Sequence, residues 1–191
     1  MTGKDYSRFI LLDRDGVLNE AVRDGYVTRA DMLRLLPGAA EAVAELNRNG
    51  FGVVVLSNQQ CVGKGLLSAE ELEEITRALR DAVRREAGGD ILDFFYCPHL
   101  AADGCSCRKP QPGLILQARE RYGFDPAVTF LVGDSYSDLE TAARAGCPSI
   151  FVLSGLDAQR HRDGDPLPHA PAHVAEDLPA AVRWVLAYSR G

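Results

Sequence analysis

The chain of 191 residues has no run of lysine or arginine, and it carries a formal net charge of −6 with a pI of about 5.2. A nucleic-acid surface normally needs a basic stripe, so we expect no nucleic-acid partner. Long apolar runs are also missing near the N-terminus, where residues 9–12 are too few for a signal-peptide core or a membrane span. We therefore expect a soluble, cytoplasmic protein without a membrane partner.

Cysteine is scarce too, with five in the chain, yet three of them lie beside a histidine in one short segment. These four residues are Cys97, His99, Cys105 and Cys107. Three sulfurs and one imidazole at these spacings can close a tetrahedral zinc site, and a reducing compartment favours metal over disulfides. A bound zinc ion would hold the next two residues, Arg108 and Lys109, as fixed cations.

The hydrophobic content of 46% is enough for one domain over residues 1–191. Short apolar runs alternate with amphipathic stretches, the pattern of an α/β fold with a parallel sheet covered by helices on both faces. The predicted strands are residues 9–12, 52–56, 94–97, 129–132 and 149–153. Three prolines and a glycine predict a surface loop at residues 164–171. No insertion is long enough for a second domain, so any lid must be a loop, and residues 19–34 are the best candidate.

Two carboxylates, Asp13 and Asp15, follow the first predicted strand. Ligands bind at the carboxyl ends of strands in open parallel sheets. One carboxylate can attack phosphorus, while the other protonates the leaving oxygen and later activates water. Gly16 permits the sharp backbone turn that would aim both at one site.

Polar residues also follow three other predicted strands. Ser57 and Asn58 offer a hydroxyl and backbone N–H groups to phosphate oxygens, and Lys109 could neutralise phosphate charge. Asp134 could hold Mg²⁺ together with Asp13. Asp138 could assist them or merely cap its own helix, and both readings remain open. Together these groups predict a magnesium-dependent phosphatase with a structural metal.

The chain resembles the haloacid dehalogenase superfamily in four segments. They are Asp13-Arg14-Asp15-Gly16-Val17-Leu18-Asn19, Ser57-Asn58-Gln59, the cysteine segment ending in Arg108-Lys109-Pro110, and Gly133-Asp134 with Asp138. The resemblance covers about residues 9–153 and is greatest to a zinc-bearing branch that includes heptose bisphosphate and histidinol-phosphate phosphatases. It implies a capless, Rossmann-like haloacid dehalogenase fold with a zinc-binding loop, and an aspartyl-phosphate mechanism.

The resemblance also implies roles for the predicted site residues. Asp13 would be the nucleophile and a Mg²⁺ ligand, and Asp15 would be the general acid/base and a ligand through its carbonyl. Ser57 and Lys109 would bind the transferred phosphoryl group, and Asp134 would hold Mg²⁺. Zinc would be structural.

The segments that bear on the substrate do not all agree. The residues around Tyr26, and the later Gly63-Lys64-Gly65 segment, resemble the heptose enzymes, in which case Arg108 would contact the sugar's other phosphate or hydroxyls. The compact spacing of five residues between His99 and Cys105 resembles the histidinol-phosphate branch instead. The leading substrate is the 7-phosphate of D-glycero-D-manno-heptose 1,7-bisphosphate, a small phosphorylated sugar, and nothing demands more than a monomer.

Other functions stay open beside this prediction. They are a histidinol-phosphate phosphatase, another small sugar-phosphate phosphatase, a non-catalytic protein that uses its zinc loop for interaction, and a DNA 3′-end phosphatase, which the acidic surface disfavours. Ser135 stands where the superfamily often has lysine, which puts one further substrate contact in doubt. The late histidines His161, His169 and His173 are expected in solvent, and residues 154–173 have no assigned role.

Overall fold

A computed structural model describes residues 6–189, in which strands and helices alternate along the chain. The strands are β1 (Arg8–Leu12), β2 (Phe51–Asn58), β3 (Asp93–Cys97), β4 (Phe130–Gly133), β5 (Ser149–Val152) and β6 (His173–Ala175). The helices are α1 (Ala39–Arg48), α2 (Gln60–Gly63), α3 (Ala69–Ala87), α4 (Gly113–Tyr122), α5 (Tyr136–Ala145), α6 (Ala158–Arg162) and α7 (Leu178–Tyr188). The predicted α/β alternation is confirmed.

The six strands form one parallel sheet in the order β3-β2-β1-β4-β5-β6. The chain builds one half of the sheet outward from β1 to β3 and then returns to place β4 on the other side of β1. Open α/β sheets bind ligands outside the carboxyl ends of the strands at such a reversal. The topology therefore directs attention to the residues that follow β1 and β4.

Helices cover both faces of the sheet, because successive side chains of a strand point to opposite sides. Ile10 and Leu12 of β1 pack into one apolar cluster with residues of α1, α3 and α7. Leu11, between them, packs into a second cluster with residues of α4 and α5. The sheet is thus buried on both faces, which explains why its strands read as nearly continuous apolar runs.

The strand β6 was not predicted from the sequence, so the sheet has six strands where five were expected. This strand is only three residues long and follows a proline-rich loop, so no alternation marks it. His169 is exposed as expected, whereas His161 and His173 are half-buried and pack against aromatic rings. The His173 ring stacks on Trp184 at 4.8 Å between centroids, and His161 packs edge-on against Phe151 at 5.6 Å.

Within residues 6–189, no helix has the length and apolar character needed to cross a membrane.

Candidate active site and cysteine cluster

A pocket opens at the carboxyl ends of β1, β2 and β4, where the strand order reverses. Most of the predicted catalytic and phosphate-binding residues line it. They are Asp13, Asp15, Tyr26, Ser57, Asn58, Lys109 and Asp134. The loop after β1 closes one side through Ala21, Val22 and residues 25–27, which agrees with the predicted lid position.

The buried ammonium of Lys109 joins two carboxylates at the base of the pocket. Its Nζ lies 2.9 Å from Asp13 Oδ1 and 2.5 Å from Asp138 Oδ1, and it donates to the carbonyl of Leu56 at 3.2 Å. Burial alone would lower the pKa of Lys109, but the charges of Asp13 and Asp138 together raise it. Lys109 is therefore a permanent cation in contact with Asp13.

Three buried carboxylates, Asp13, Asp134 and Asp138, bring oxygens within 4.8 Å of one another. Burial raises the pKa of Asp13 to about 6, an effect that Lys109 opposes and that the carboxylates of Asp138 and Asp15 reinforce. Burial, together with the charges of Asp13 and Asp138, also raises the pKa of Asp134 well above its usual range. The single ammonium of Lys109 does not offset the cost of ionising three crowded, buried carboxylates, which a bound cation would lower. Hard oxygen donors in this arrangement suit Mg²⁺.

Asp138 caps its own helix, which is one of the two roles that the sequence left open, and it also contacts Lys109. It is the third residue of α5, and its carboxylate and the hydroxyl of Ser135 form a reciprocal capping box. Its other oxygen holds Lys109. Ser135, whose side chain bonds to Asp138 at 2.6 Å, is thus a helix cap in the pocket wall.

The carboxylate of Asp15 accepts hydrogen bonds from three nitrogen-bearing side chains. Arg14 donates to both of its oxygens at 3.1 and 3.0 Å, Asn19 donates at 2.8 Å, and Gln59 at 2.9 Å. Arg14 is almost completely buried. Sequence analysis included Arg14, Asn19 and Gln59 in motifs but gave them no role, since nothing in their spacing shows that they converge on one carboxylate.

Ser57 and Asn58 lie at the end of β2, as predicted. The hydroxyl of Ser57 accepts a hydrogen bond from Gln59 at 3.0 Å. The amide of Asn58 pairs with the backbone of Lys109, donating to its carbonyl at 3.0 Å and accepting from its N–H at 2.9 Å. This double contact ties Lys109 to the sheet.

The four predicted zinc ligands converge just beyond β3. The sulfur of Cys107 lies 3.2 Å from that of Cys97 and 3.5 Å from that of Cys105, and Nδ1 of His99 lies 3.2 Å from Cys107 Sγ. A tetrahedral ion with Zn–S bonds of about 2.3 Å separates its sulfurs by roughly 3.8 Å, close to this spacing. The donor set therefore fits zinc.

Of two further predicted substrate contacts, Tyr26 lines the pocket and Arg108 does not. The Tyr26 hydroxyl contacts Gln60 Nε2 at 2.7 Å and Lys64 Nζ at 2.8 Å, which links the loop after β1 to the segment after β2. Arg108 lines a neighbouring depression with Lys109 and Cys105, and its guanidinium approaches the carbonyl of His99 at 3.4 Å. Lys64 and Arg108 therefore place two cations outside the buried base.

Comparisons with known proteins agree with this architecture. Residues 106–181 match a family model described as HAD-hydrolase-like. The D-glycero-beta-D-manno-heptose-1,7-bisphosphate 7-phosphatase of Pseudomonas aeruginosa is 37% identical over 177 residues, 93% of this chain and 97% of that protein. The D-glycero-alpha-D-manno-heptose-1,7-bisphosphate 7-phosphatase of Mycobacterium bovis is 40% identical over 150 residues, 75% of this chain and 78% of that protein.

A solved structure shares the whole fold. The D,D-heptose 1,7-bisphosphate phosphatase of Bordetella bronchiseptica, determined with magnesium and phosphate, superimposes with a TM-score of 0.88 at 36% identity, over 95% of this chain and 99% of that one. Sheet order and site geometry are those of a haloacid dehalogenase-type hydrolase. Within that superfamily, the chain belongs to the family of the heptose 1,7-bisphosphate 7-phosphatases.

Proposed function

We propose that this chain is a magnesium-dependent phosphoric monoester hydrolase that removes the 7-phosphate of D-glycero-D-manno-heptose 1,7-bisphosphate through an aspartyl-phosphate. The observation that carries the proposal is the contact of the buried Lys109 ammonium with Asp13, beside Asp134, at the base of a pocket where β1 and β4 end. The identity of the substrate is inferred from the relatives that share this fold, which are heptose 1,7-bisphosphate phosphatases.

In the first half-reaction, a carboxylate oxygen of Asp13 attacks phosphorus. The bond between phosphorus and the sugar oxygen breaks, and Asp15 delivers a proton to that leaving oxygen. Lys109 and the Ser57 hydroxyl bind the phosphoryl oxygens. Asp138 keeps Lys109 directed at the site through their ion pair of 2.5 Å.

In the second half-reaction, Asp15, now a carboxylate, takes a proton from water as the water oxygen attacks the acyl-phosphate. The bond between phosphorus and the Asp13 oxygen breaks, which releases inorganic phosphate and restores both carboxyl groups. The hydrogen bonds from Arg14, Asn19 and Gln59 hold the Asp15 carboxylate between these steps.

The Asp13 and Asp134 carboxylates and the backbone carbonyl of Asp15 would hold Mg²⁺, which neutralises charge on the phosphoryl oxygens when bound. Zinc at the cysteine cluster would be structural, since its four protein ligands leave no open position. Because the last of these ligands, Cys107, lies two residues before Lys109, bound zinc would fix the segment that carries the Lys109 ammonium.

Two cations outside the buried base of the pocket suit a substrate with a second phosphate. Lys64 lies beside Tyr26, which lines the pocket, and Arg108 follows the last zinc ligand. With the reacting phosphate at Lys109, a distal phosphate or sugar hydroxyls can meet these side chains. The lid is the loop after β1, so one domain over residues 1–191 suffices in this proposal.

The substrate is tested by phosphate release with Mg²⁺ from both anomers of heptose 1,7-bisphosphate and from histidinol phosphate. We expect kcat/KM for one heptose anomer to exceed that for histidinol phosphate by at least about 10²-fold, roughly 2.7 kcal/mol of transition-state discrimination. A preference for histidinol phosphate would keep the mechanism and refute the substrate.

Removing magnesium should stop turnover while zinc stays bound. Because the carboxylates of Asp13 and Asp134 lose their neutralising cation, we expect activity in magnesium-free buffer to fall at least about 10²-fold and to return when Mg²⁺ is added. Metal analysis of the same sample verifies that zinc is retained. Undiminished activity without Mg²⁺ would contradict the role given to Asp134.

Tyr26→Phe should weaken substrate binding more than chemistry. The change removes the hydroxyl that contacts Lys64 at 2.8 Å and keeps the ring. We expect KM for heptose bisphosphate to rise about 3- to 10-fold, as for the loss of one hydrogen bond near a charge, with kcat within about 2-fold. The matched control is Tyr188→Phe, an exposed tyrosine on α7. An unchanged KM would remove Tyr26 from the substrate site.

A further inference from the structure

Residues 154–157, here called the β5–α6 turn, lie against the carboxylate cluster although sequence analysis gave them no role. The backbone N–H of Leu156 donates to Asp134 Oδ2 at 2.8 Å. That oxygen is engaged in this hydrogen bond, so Oδ1 is the oxygen left to face a metal ion. Leu156, 22 positions further along the chain, thus contacts one specific oxygen of the Asp134 carboxylate.

The same turn is fastened to the loop that carries the other carboxylates. The Ser154 hydroxyl donates to the carbonyl of Gly16 at 2.7 Å, across 138 positions in the chain. Gly16 directly follows Asp15, and Asp13 lies three positions before it. The turn therefore connects the two segments, one after β1 and one after β4, that must supply ligands to the same ion.

Gly155 brings the backbone of the turn into direct contact with Asp134. A Cβ atom at this position would overlap the Asp134 carboxylate, and one at Gly16 would collide with the same group. The φ angle of Gly155 is not positive, so space rather than backbone conformation demands glycine here. Two glycine backbones thus lie directly against the Asp134 carboxylate.

A third contact anchors the turn to the start of α5. Asp157 Oδ2 accepts a hydrogen bond from the N–H of Tyr136 at 2.8 Å. Tyr136 is the first residue of α5, two positions after Asp134. The turn is therefore anchored to the loop after β1 through Ser154 and to the start of α5 through Asp157.

We infer that the β5–α6 turn is a positioning element for the magnesium site, in which Ser154, Gly155 and the N–H of Leu156 set the orientation of Asp134. In this role these groups act through Asp134, by holding its carboxylate, rather than on the reacting atoms. The inference rests on the proposed function, because it presumes that Asp13 and Asp134 hold Mg²⁺. Partners that orient metal ligands commonly alter metal affinity by 10- to 100-fold when they are removed.

The test measures metal affinity directly. Mn²⁺ takes the same oxygen ligands as Mg²⁺, and free Mn²⁺ can be counted by electron paramagnetic resonance while Mg²⁺ competes for the site. We expect Gly155→Ala to raise the Kd for Mn²⁺ about 10- to 100-fold and Ser154→Ala to raise it about 3- to 10-fold. The matched control is Ser7→Ala, an exposed serine just before β1, which should leave Kd within about 2-fold of the parent, as surface changes usually do.

A second readout separates positioning from general damage. With Mg²⁺ saturating, kcat of Ser154→Ala should return to within about 3-fold of the parent, because the ligands themselves remain. A merely destabilised protein would stay slow at every Mg²⁺ concentration, which would contradict the inference. If Gly155→Ala fails to fold, Ser154→Ala decides alone.

Binding by the parent distinguishes this inference from the proposed metal site. Loss of Mn²⁺ binding in Asp134→Asn, with unchanged Kd values in the folded turn variants, would refute only the positioning role. A parent protein without a Mn²⁺ site that depends on Asp134 would refute the metal site and the inference together.

Discussion

Asp13→Asn is expected to reduce turnover of heptose bisphosphate at least about 10³-fold while the protein stays folded. An amide cannot form the acyl-phosphate, so the nucleophilic route is lost and about 4 kcal/mol or more of barrier lowering goes with it. The fold should survive because asparagine retains an acceptor oxygen for the N–H of Arg14, now 2.7 Å from Asp13 Oδ1. The change also removes one of three crowded, buried negative charges.

The measurement is kcat with saturating substrate and Mg²⁺, together with a melting curve. The matched control is Asp163→Asn, the same substitution at an exposed carboxylate after α6 that accepts a hydrogen bond from Gln159. We expect the control to match the parent in both quantities. Activity of Asp13→Asn within 10-fold of the parent would place the nucleophile elsewhere.

Cys107→Ala is expected to release zinc and destabilise the protein. The Cys107 sulfur lies within 3.6 Å of the other two sulfurs and of the His99 ring. Its loss therefore removes the ligand that contacts all three others. Metal binding contributes directly to folding stability, and we expect the melting temperature to fall by roughly 5–15 °C. Activity should fall at least about 10-fold, since Lys109 two residues on loses its fixed segment.

Zinc content and melting temperature measure this effect, and Cys147→Ala provides the control. Cys147 is a buried thiol outside the cluster. Its replacement should keep about one zinc ion per chain, as a closed four-ligand site requires. A parent protein without zinc, or a Cys107→Ala variant as stable as the parent, would disprove the structural role of the cluster.

The strands and the site residues could be predicted from the sequence for the same physical reason. A parallel sheet buried on both faces has continuous apolar strands, and its strands all end at one edge. Polar residues such as Asp13, Ser57 and Asp134, which directly follow such runs, must therefore meet. The structure brings them into one pocket. The four zinc ligands were predictable for a simpler reason, because they lie within 11 consecutive residues.

The contacts that sequence reasoning missed come from groups without a sequence pattern. The N–H of Leu156 that orients Asp134 is a backbone donor, which every residue except proline possesses. Gln59 and Asn19 reach Asp15 through the folding of two loops, and their spacing from it is 44 and 4 positions. Loop length between His99 and Cys105 favoured the histidinol-phosphate enzymes, whereas the relatives are heptose enzymes.

Identification of the released phosphate tests the central claim most directly. We would follow the parent protein with Mg²⁺ and heptose 1,7-bisphosphate by ³¹P nuclear magnetic resonance, with Asp13→Asn as the blank. The account predicts that the signal of the terminal 7-phosphate is replaced by inorganic phosphate while the anomeric 1-phosphate signal persists. Loss of the anomeric phosphate first, or equal release by Asp13→Asn, would contradict it.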